Sequence, residues 1–297
     1  MVAELLALTL LRAQVAAMAA VLLVLLLRGP ARSWIGARLA YRLWILVPAA
    51  VLASLFPSLS EALEAGAPAA PMGETHAITV LAAWMVGALV AAGIIVQQEV
   101  AFRRQAGIGQ AGPAVMGVLW PRIVLPCDFA ERFDAEARRM VDLHERAHIQ
   151  RGDPLANLAI AVGLALGWCN PLIHIGAVCA RLDQELACDA QVLSLRPTLR
   201  KVYAEALVKA HAARTGSPLA CFWAAHPLLL RVKLLAQPEP SEERHATGAV
   251  SIVGLAILTA LVVWSVTPRG PMPPHFIWPG EVIEHQVDGI NLPALRR

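Results

Sequence analysis

The chain has 297 residues, 57% hydrophobic and 16% charged, with a mean hydropathy of +0.57. That is more apolar than an ordinary soluble domain and leaves room for one soluble domain of roughly 140 residues beside several membrane spans. The net charge of +3 sits mostly on arginines next to apolar runs, so direct nucleic-acid binding is not expected.

Residues 1–104 read as three transmembrane helices, at about 5–27, 43–59 and 78–96. The first is long enough to cross a bilayer despite Arg12 and Gln14. Arg12 interrupts the apolar run and no small-residue cleavage site follows, which argues against a signal peptide. Between the first two spans lie Arg28, Arg32, Arg38 and Arg42 with no acid; the next loop carries Glu61, Glu64 and Glu74 with no lysine or arginine. Arg103 and Arg104 follow the third span. The positive-inside bias therefore puts the arginine loop and residues 105–247 in the cytosol. A fourth span, 248–267, exports a proline-rich tail, 268–297, leaving both termini extracytoplasmic.

Within the cytosolic segment, Ala106 to Gly117 is glycine-rich and Val118 to Leu125 reads as a short edge strand broken by Pro121. Asp134 can cap a helix that ends at Gly152, and Asp153-Pro154 supplies a cap and first turn for the next. Residues 158–180 carry no charge, yet Asn170-Pro171 breaks the run. A single crossing would separate Glu185 from the histidines described below, so an apolar helical hairpin, buried or dipping into the membrane, is expected. Its second arm continues to Leu195. An amphipathic helix from Thr198 to Gly216, a short helix from His226-Pro227 and a polar linker from Gln237 to Thr247 complete the segment.

The chemistry-bearing stretch is His144-Glu145-Arg146-Ala147-His148. Histidines four apart share a helical face and can grip one Zn²⁺, with Glu145 beside them as general base toward water. Glu185 and Asp189 are also four apart. Glu185 completes a His₂Glu ligand set, and Asp189 is placed to accept the spare N–H of a liganding histidine. His174 lies too far from Glu185 along a helix to share the metal and is read as structural. The five cysteines (Cys127, Cys169, Cys179, Cys188, Cys221) include no Cys-x-x-Cys and fall in the cytosolic segment, where they are expected reduced. Cys188 is expected near the metal without ligating it.

Together these pieces resemble the bacterial antirepressor metallopeptidases of the beta-lactam-sensor type, the BlaR/MecR family. The resemblance rests on Pro121-Arg122-Ile123-Val124-Leu125-Pro126, the His144–His148 motif with Arg151-Gly152-Asp153, Asn170-Pro171-Leu172, and Glu185-Leu186-Ala187-Cys188-Asp189. It covers about residues 113–235. It implies a mainly α, polytopic protein of the bacterial inner membrane, with a cytosolic gluzincin-like zinc peptidase domain. It supports His144, His148 and Glu185 as metal ligands, Glu145 as catalytic base and Asp189 as orienting residue. His226, in a His-Pro…Arg element that also resembles related membrane proteases, is a weaker candidate for oxyanion stabilisation. The implied partners are the membrane and a protein substrate, either a transcriptional repressor or the chain itself. No Ser-x-x-Lys acylation motif occurs and the tail is about thirty residues, so a beta-lactam sensor is expected to be missing or supplied by a separate partner. Homodimerisation, inducing signal and scissile bond stay open. Two other readings stand beside the signalling protease: a housekeeping membrane protease similar to HtpX, and a zinc-stabilised scaffold that does not cut.

Overall fold

The computed structural model describes residues 2–56, 73–212, 225–236 and 240–266. The acidic loop with Glu61 and Glu64, the end of the expected second span, Cys221 and the tail 268–297 lie outside the described residues.

Two apolar helices open the chain, α1 (Val2–Ile35) and α2 (Ala37–Leu55), the latter with a 3-10 turn over Tyr41–Ile45. Gly36 reverses the chain between them at φ +82°, and Pro240 packs 2.8 Å from where a Cβ would stand. Both constraints favour glycine. Next comes α3 (Glu74–Gly107), which exposes Val86, Leu89, Val90 and Val96 along its length.

A small antiparallel hairpin follows, β1 (Ala114–Met116) with β2 (Arg122–Val124), pairing Val115 with Ile123. The strand thus starts after Pro121 rather than at Val118, and its partner comes from the glycine-rich stretch. Pro121 has no N–H to give a ladder, and Gly117 at φ +96° makes the turn.

The helices that follow are α4 (Phe129–Arg132), α5 (Ala135–Gln150), α6 (Asp153–Leu166), α7 (Pro171–Leu195), α8 (Arg200–Ala212), α9 (Ala225–Leu235) and α10 (Glu242–Val266). Of these, α10 is again long and apolar enough to span a membrane, which makes four such helices among the described residues. It starts before the expected Gly248, because Glu242 and Glu243 suit the positive end of a helix dipole. Met140, Cys188, Val192, Tyr203, Leu207 and Leu235 form the core that joins α5, α7, α8 and α9. A separate cluster of Val24, Ile35, Leu39, Leu46 and Ile252 joins α1, α2 and α10.

The uncharged run is divided at Gly167–Asn170 into the antiparallel arms α6 and α7. The Asn170 side chain accepts from Leu172 N at 3.1 Å and starts α7, with Pro171 in its first turn. The hairpin tip is met by polar groups from two of the apolar helices. Gln14 of α1 donates to Leu166 O (3.1 Å) and accepts from Asn170 Nδ2 (3.1 Å); Trp84 of α3 donates to the same carbonyl (2.9 Å). Trp168 donates back to Trp84 O at 3.1 Å. Backbone groups at a helix end need such partners wherever water is absent. Gln14 is fourteen residues from Arg28, so the tip lies about 20 Å along α1 from the arginine level. The hairpin also exposes Leu158, Val162, Leu166 and Ile175.

Gly87 is where α3 admits the Trp168 indole, since a Cβ there would fall 2.1 Å from the ring. Gly87→Val should therefore lower the thermal midpoint in detergent by the equivalent of about 1–3 kcal/mol, a usual overpacking cost. Adding Trp168→Ala should remove part of that loss. Equal midpoints for Gly87→Val and wild type would show that the tip is not docked here.

Candidate metal centre

Asp134 caps α5 by accepting from Ala137 N at 2.8 Å, and the helix carries His144 and His148 on one buried face. Their Nε2 atoms are 3.1 Å apart, with the rings edge to face. Across from them on α7, Glu185 places Oε2 at 3.5 Å from His144 Nε2 and Oε1 at 3.7 Å from His148 Nε2. Four ligands held roughly 2.0–2.2 Å from one zinc ion are separated by about 3.3–3.6 Å. The separations of the two imidazoles and the carboxylate, 3.1–3.7 Å, are of that order, each imidazole lying nearest a different oxygen of Glu185. Glu185 Oε2 is buried and accepts no hydrogen bond of sound geometry, although Arg231 Nη1 lies 2.9 Å away. It is an acceptor suited to a cation. Glu145 follows His144 directly on α5 and is buried beside the site.

Cys188 offers a second donor set, since its sulfur and the two imidazoles bring ligand atoms within 4.8 Å of one another. Its thiol, however, donates to His144 O at 3.2 Å, so it is engaged with the backbone of α5. Both the Cys188 thiol and the Glu185 carboxylate thus stand near the two imidazoles.

Each histidine is oriented from behind. His148 Nδ1 is 2.7 Å from Asp153 Oδ2, and Arg151 Nε stands 3.4 Å from the same oxygen. His144 Nδ1 is 2.7 Å from the Tyr203 hydroxyl, which donates to Asp189 Oδ1 at 2.6 Å. Nδ1–H groups used in this way leave both Nε2 lone pairs facing Glu185. Asp189 in turn takes two bonds from Arg231 at 2.8 Å each, in the fork geometry that suits guanidinium and carboxylate.

Two of these roles differ from the sequence expectation. Asp153 is not a helix cap: Gly152, left-handed at φ +73°, occupies the cap position, and Asp153 begins α6 with its carboxylate turned back on His148. Tyr203 of α8 stands between His144 and Asp189, whose direct separation is 3.4 Å. Arg231, the end of the His-Pro…Arg element, bridges Glu185 and Asp189 of α7. His226 falls in the first turn of α9, but its side chain lies outside the described residues. His174 bonds Trp168 O at 2.9 Å at the hairpin tip, away from the centre.

Around the two imidazoles, the acids Glu145, Asp153, Glu185 and Asp189 stand with Arg151 and Arg231. Burial disfavours the imidazolium of His148, yet Cys188 and the Asp153 bond outweigh it and raise the pKa to about 10. For His144, too, burial is outweighed, by Cys188, Tyr203 and Asp189, and its pKa is well raised. Burial likewise opposes ionisation of Glu185, but Arg231 and the two histidines hold it well below the ordinary carboxylate range.

Comparison with known proteins gives the same neighbourhood. The family described as BlaR1 peptidase M56 matches residues 8–80 and 96–235, well over half of the chain. A curated relative, "Regulatory protein BlaR1" of Bacillus licheniformis, is 31% identical over 118 residues. That alignment covers 38% of this chain and 20% of the relative, so the chain matches about a fifth of that protein's length.

Asp153→Ala should lower zinc affinity about 10–100-fold, as loss of an orienting carboxylate generally does. Chelator competition on detergent-purified protein measures this, and an unchanged affinity would remove Asp153 from the centre. Tyr203→Phe, which leaves Asp189 within 3.4 Å of the ring, should cost less.

Proposed function

The chain belongs to the BlaR1 peptidase M56 family, and from that premise we propose that it is a membrane-anchored zinc endopeptidase acting in transmembrane signalling. The observation that carries this is the approach of His144 Nε2, His148 Nε2 and the Glu185 carboxylate to within 3.1–3.7 Å of one another, with Glu145 next to His144 in the chain. These three side chains would hold zinc and leave a fourth position open. Bound there, zinc supplies Lewis acidity toward a peptide carbonyl and makes water a nucleophile near neutral pH. Glu145 takes the proton from the attacking water and delivers it to the departing amide nitrogen. Asp153, Tyr203 and Asp189 hold the two imidazoles in the tautomer that ligates. Arg231 neutralises Asp189 and keeps Glu185 ionised.

An extended substrate segment fits the free edge of the β1–β2 hairpin, which borders α5 and can bind backbone by strand addition. The arginine-bearing turn between α1 and α2 lies at the peptidase end of the apolar helices, where Arg28 and Arg32 meet α7. By the positive-inside rule that end is cytosolic. The substrate is then a cytosolic protein, a transcriptional repressor or the chain itself, and the relative's name as a regulatory protein favours signalling over housekeeping.

Glu145→Gln should keep about one zinc per chain and abolish cleavage of the chain itself or of a co-expressed repressor, while wild type retains both. Identical fragment patterns for the two proteins would contradict a peptidase.

A further inference from the structure

Thirteen residues along α7 from the tip, and two before Glu185, Asp183 is buried to 1% exposure. Among the described residues, the donors recorded on it come from the apolar helices. Arg28 grips both oxygens, Nε to Oδ2 and Nη2 to Oδ1, each at 2.9 Å. Arg32 adds a bond to Oδ1 at 3.3 Å, and the Trp44 indole N–H donates to Oδ2 at 2.9 Å. Arg28 also reaches Cys179 O at 3.4 Å, one turn earlier on α7. The four contacts on Asp183 use about all the lone-pair capacity of a carboxylate.

Asp183 and Glu185 are two residues apart, so they project about 200° from one another around α7. One faces α1 and α2, the other the histidines. A clamp on the first fixes the rotation of the helix and with it the second. A turn of about 10° moves an atom roughly 6 Å from the helix axis by about 1 Å, enough to open a tetrahedral site. The adjacent contacts serve the opposite wall. Gln184 donates to the Tyr41 hydroxyl at 3.1 Å, Arg151 stacks 4.8 Å over the Tyr41 ring, and Arg151 reaches Asp153, the partner of His148. Plain hydrophobic packing would join these helices at lower desolvation cost, but it would not set one angular register.

We infer that Asp183, held by Arg28, Arg32 and Trp44, is a positioning residue for the metal centre. The turn between the first two apolar helices thereby sets where Glu185 stands against His144 and His148. The inference rests on the zinc-site reading above. A movement of α1 relative to α7 reaches the metal ligands through this carboxylate.

The test uses the full-length chain in detergent with Co²⁺ as the probe, because its visible ligand-field bands report ligand geometry. Three variants are compared: Asp183→Asn, the double Arg28→Gln/Arg32→Gln, and the triple that combines them. Each should bind Co²⁺ about 10-fold or more weakly with altered bands. The triple leaves no unpaired buried charge, so it should keep a thermal midpoint near that of wild type and be no weaker than Asp183→Asn. A stable triple with the wild-type spectrum and affinity would overturn the inference. Trp44→Phe removes a single neutral bond and gives a reading even where the charge variants fold poorly: its bands should shift in the same direction, and unchanged bands count against the clamp. Wild type that binds Co²⁺ no better than His144→Ala would sink the metal-site reading, and this inference with it. Binding that needs His144 but ignores Asp183 would sink the inference alone.

Discussion

A carboxylate buried beside an apolar layer is tolerable only where donors meet it, and three such groups join this structure together. Asp153, Asp183 and Asp189 are each at most 2% exposed. Asp153 ties the start of α6 to His148, Asp189 ties α7 to α8 and α9 through Tyr203 and Arg231, and Asp183 ties α7 to α1 and α2. Removing one partner of any pair would leave an uncompensated charge where water cannot reach it, a cost of about 3–5 kcal/mol. The same stake makes the arrangement specific. Each acid accepts one set of donors, and those donors fix the rotation of helices that apolar packing alone would leave freer.

This joinery explains how a hydrolytic centre can sit on helices that enter a membrane. The α6–α7 hairpin has its tip among Gln14, Trp84 and Trp168, about 20 Å along α1 from Arg28, and its base at the metal centre. Both arms carry part of the site, Asp153 at the root of α6 and Glu185 with Asp189 on α7. Apolar helix, hairpin and candidate metal centre are thus joined by side-chain contacts along α7.

Much of the architecture was legible because membranes and metals impose strong spacing rules. Long apolar runs marked the spans, four residues put the histidines on one face, and Asn170-Pro171 marked a break in a run that hydropathy alone would have taken for a crossing. The family resemblance, drawn from short motifs in the right order, is the one the comparisons give. What stayed hidden came from tertiary approach. Tyr203 lies 59 residues beyond His144 in an ordinary amphipathic helix, and nothing in its spacing points at a histidine. Asp153 was visible but misread, because Asp-Pro after glycine looks like a cap until the left-handed Gly152 is seen to take that place. Asp183 belongs to none of the sequence motifs. Only its contact with Arg28, 155 residues earlier, gives it a role.

The central claim is that two imidazoles and the Glu185 carboxylate hold zinc at the root of a membrane-docked hairpin. X-ray absorption at the zinc edge of the purified full-length chain tests it most directly. The account predicts a first shell of nitrogen and oxygen only, at about 2.0–2.1 Å, which loses one light scatterer in Glu185→Ala. A sulfur scatterer near roughly 2.3 Å would mean that Cys188 is the ligand instead, and protein that binds no zinc would contradict the centre altogether.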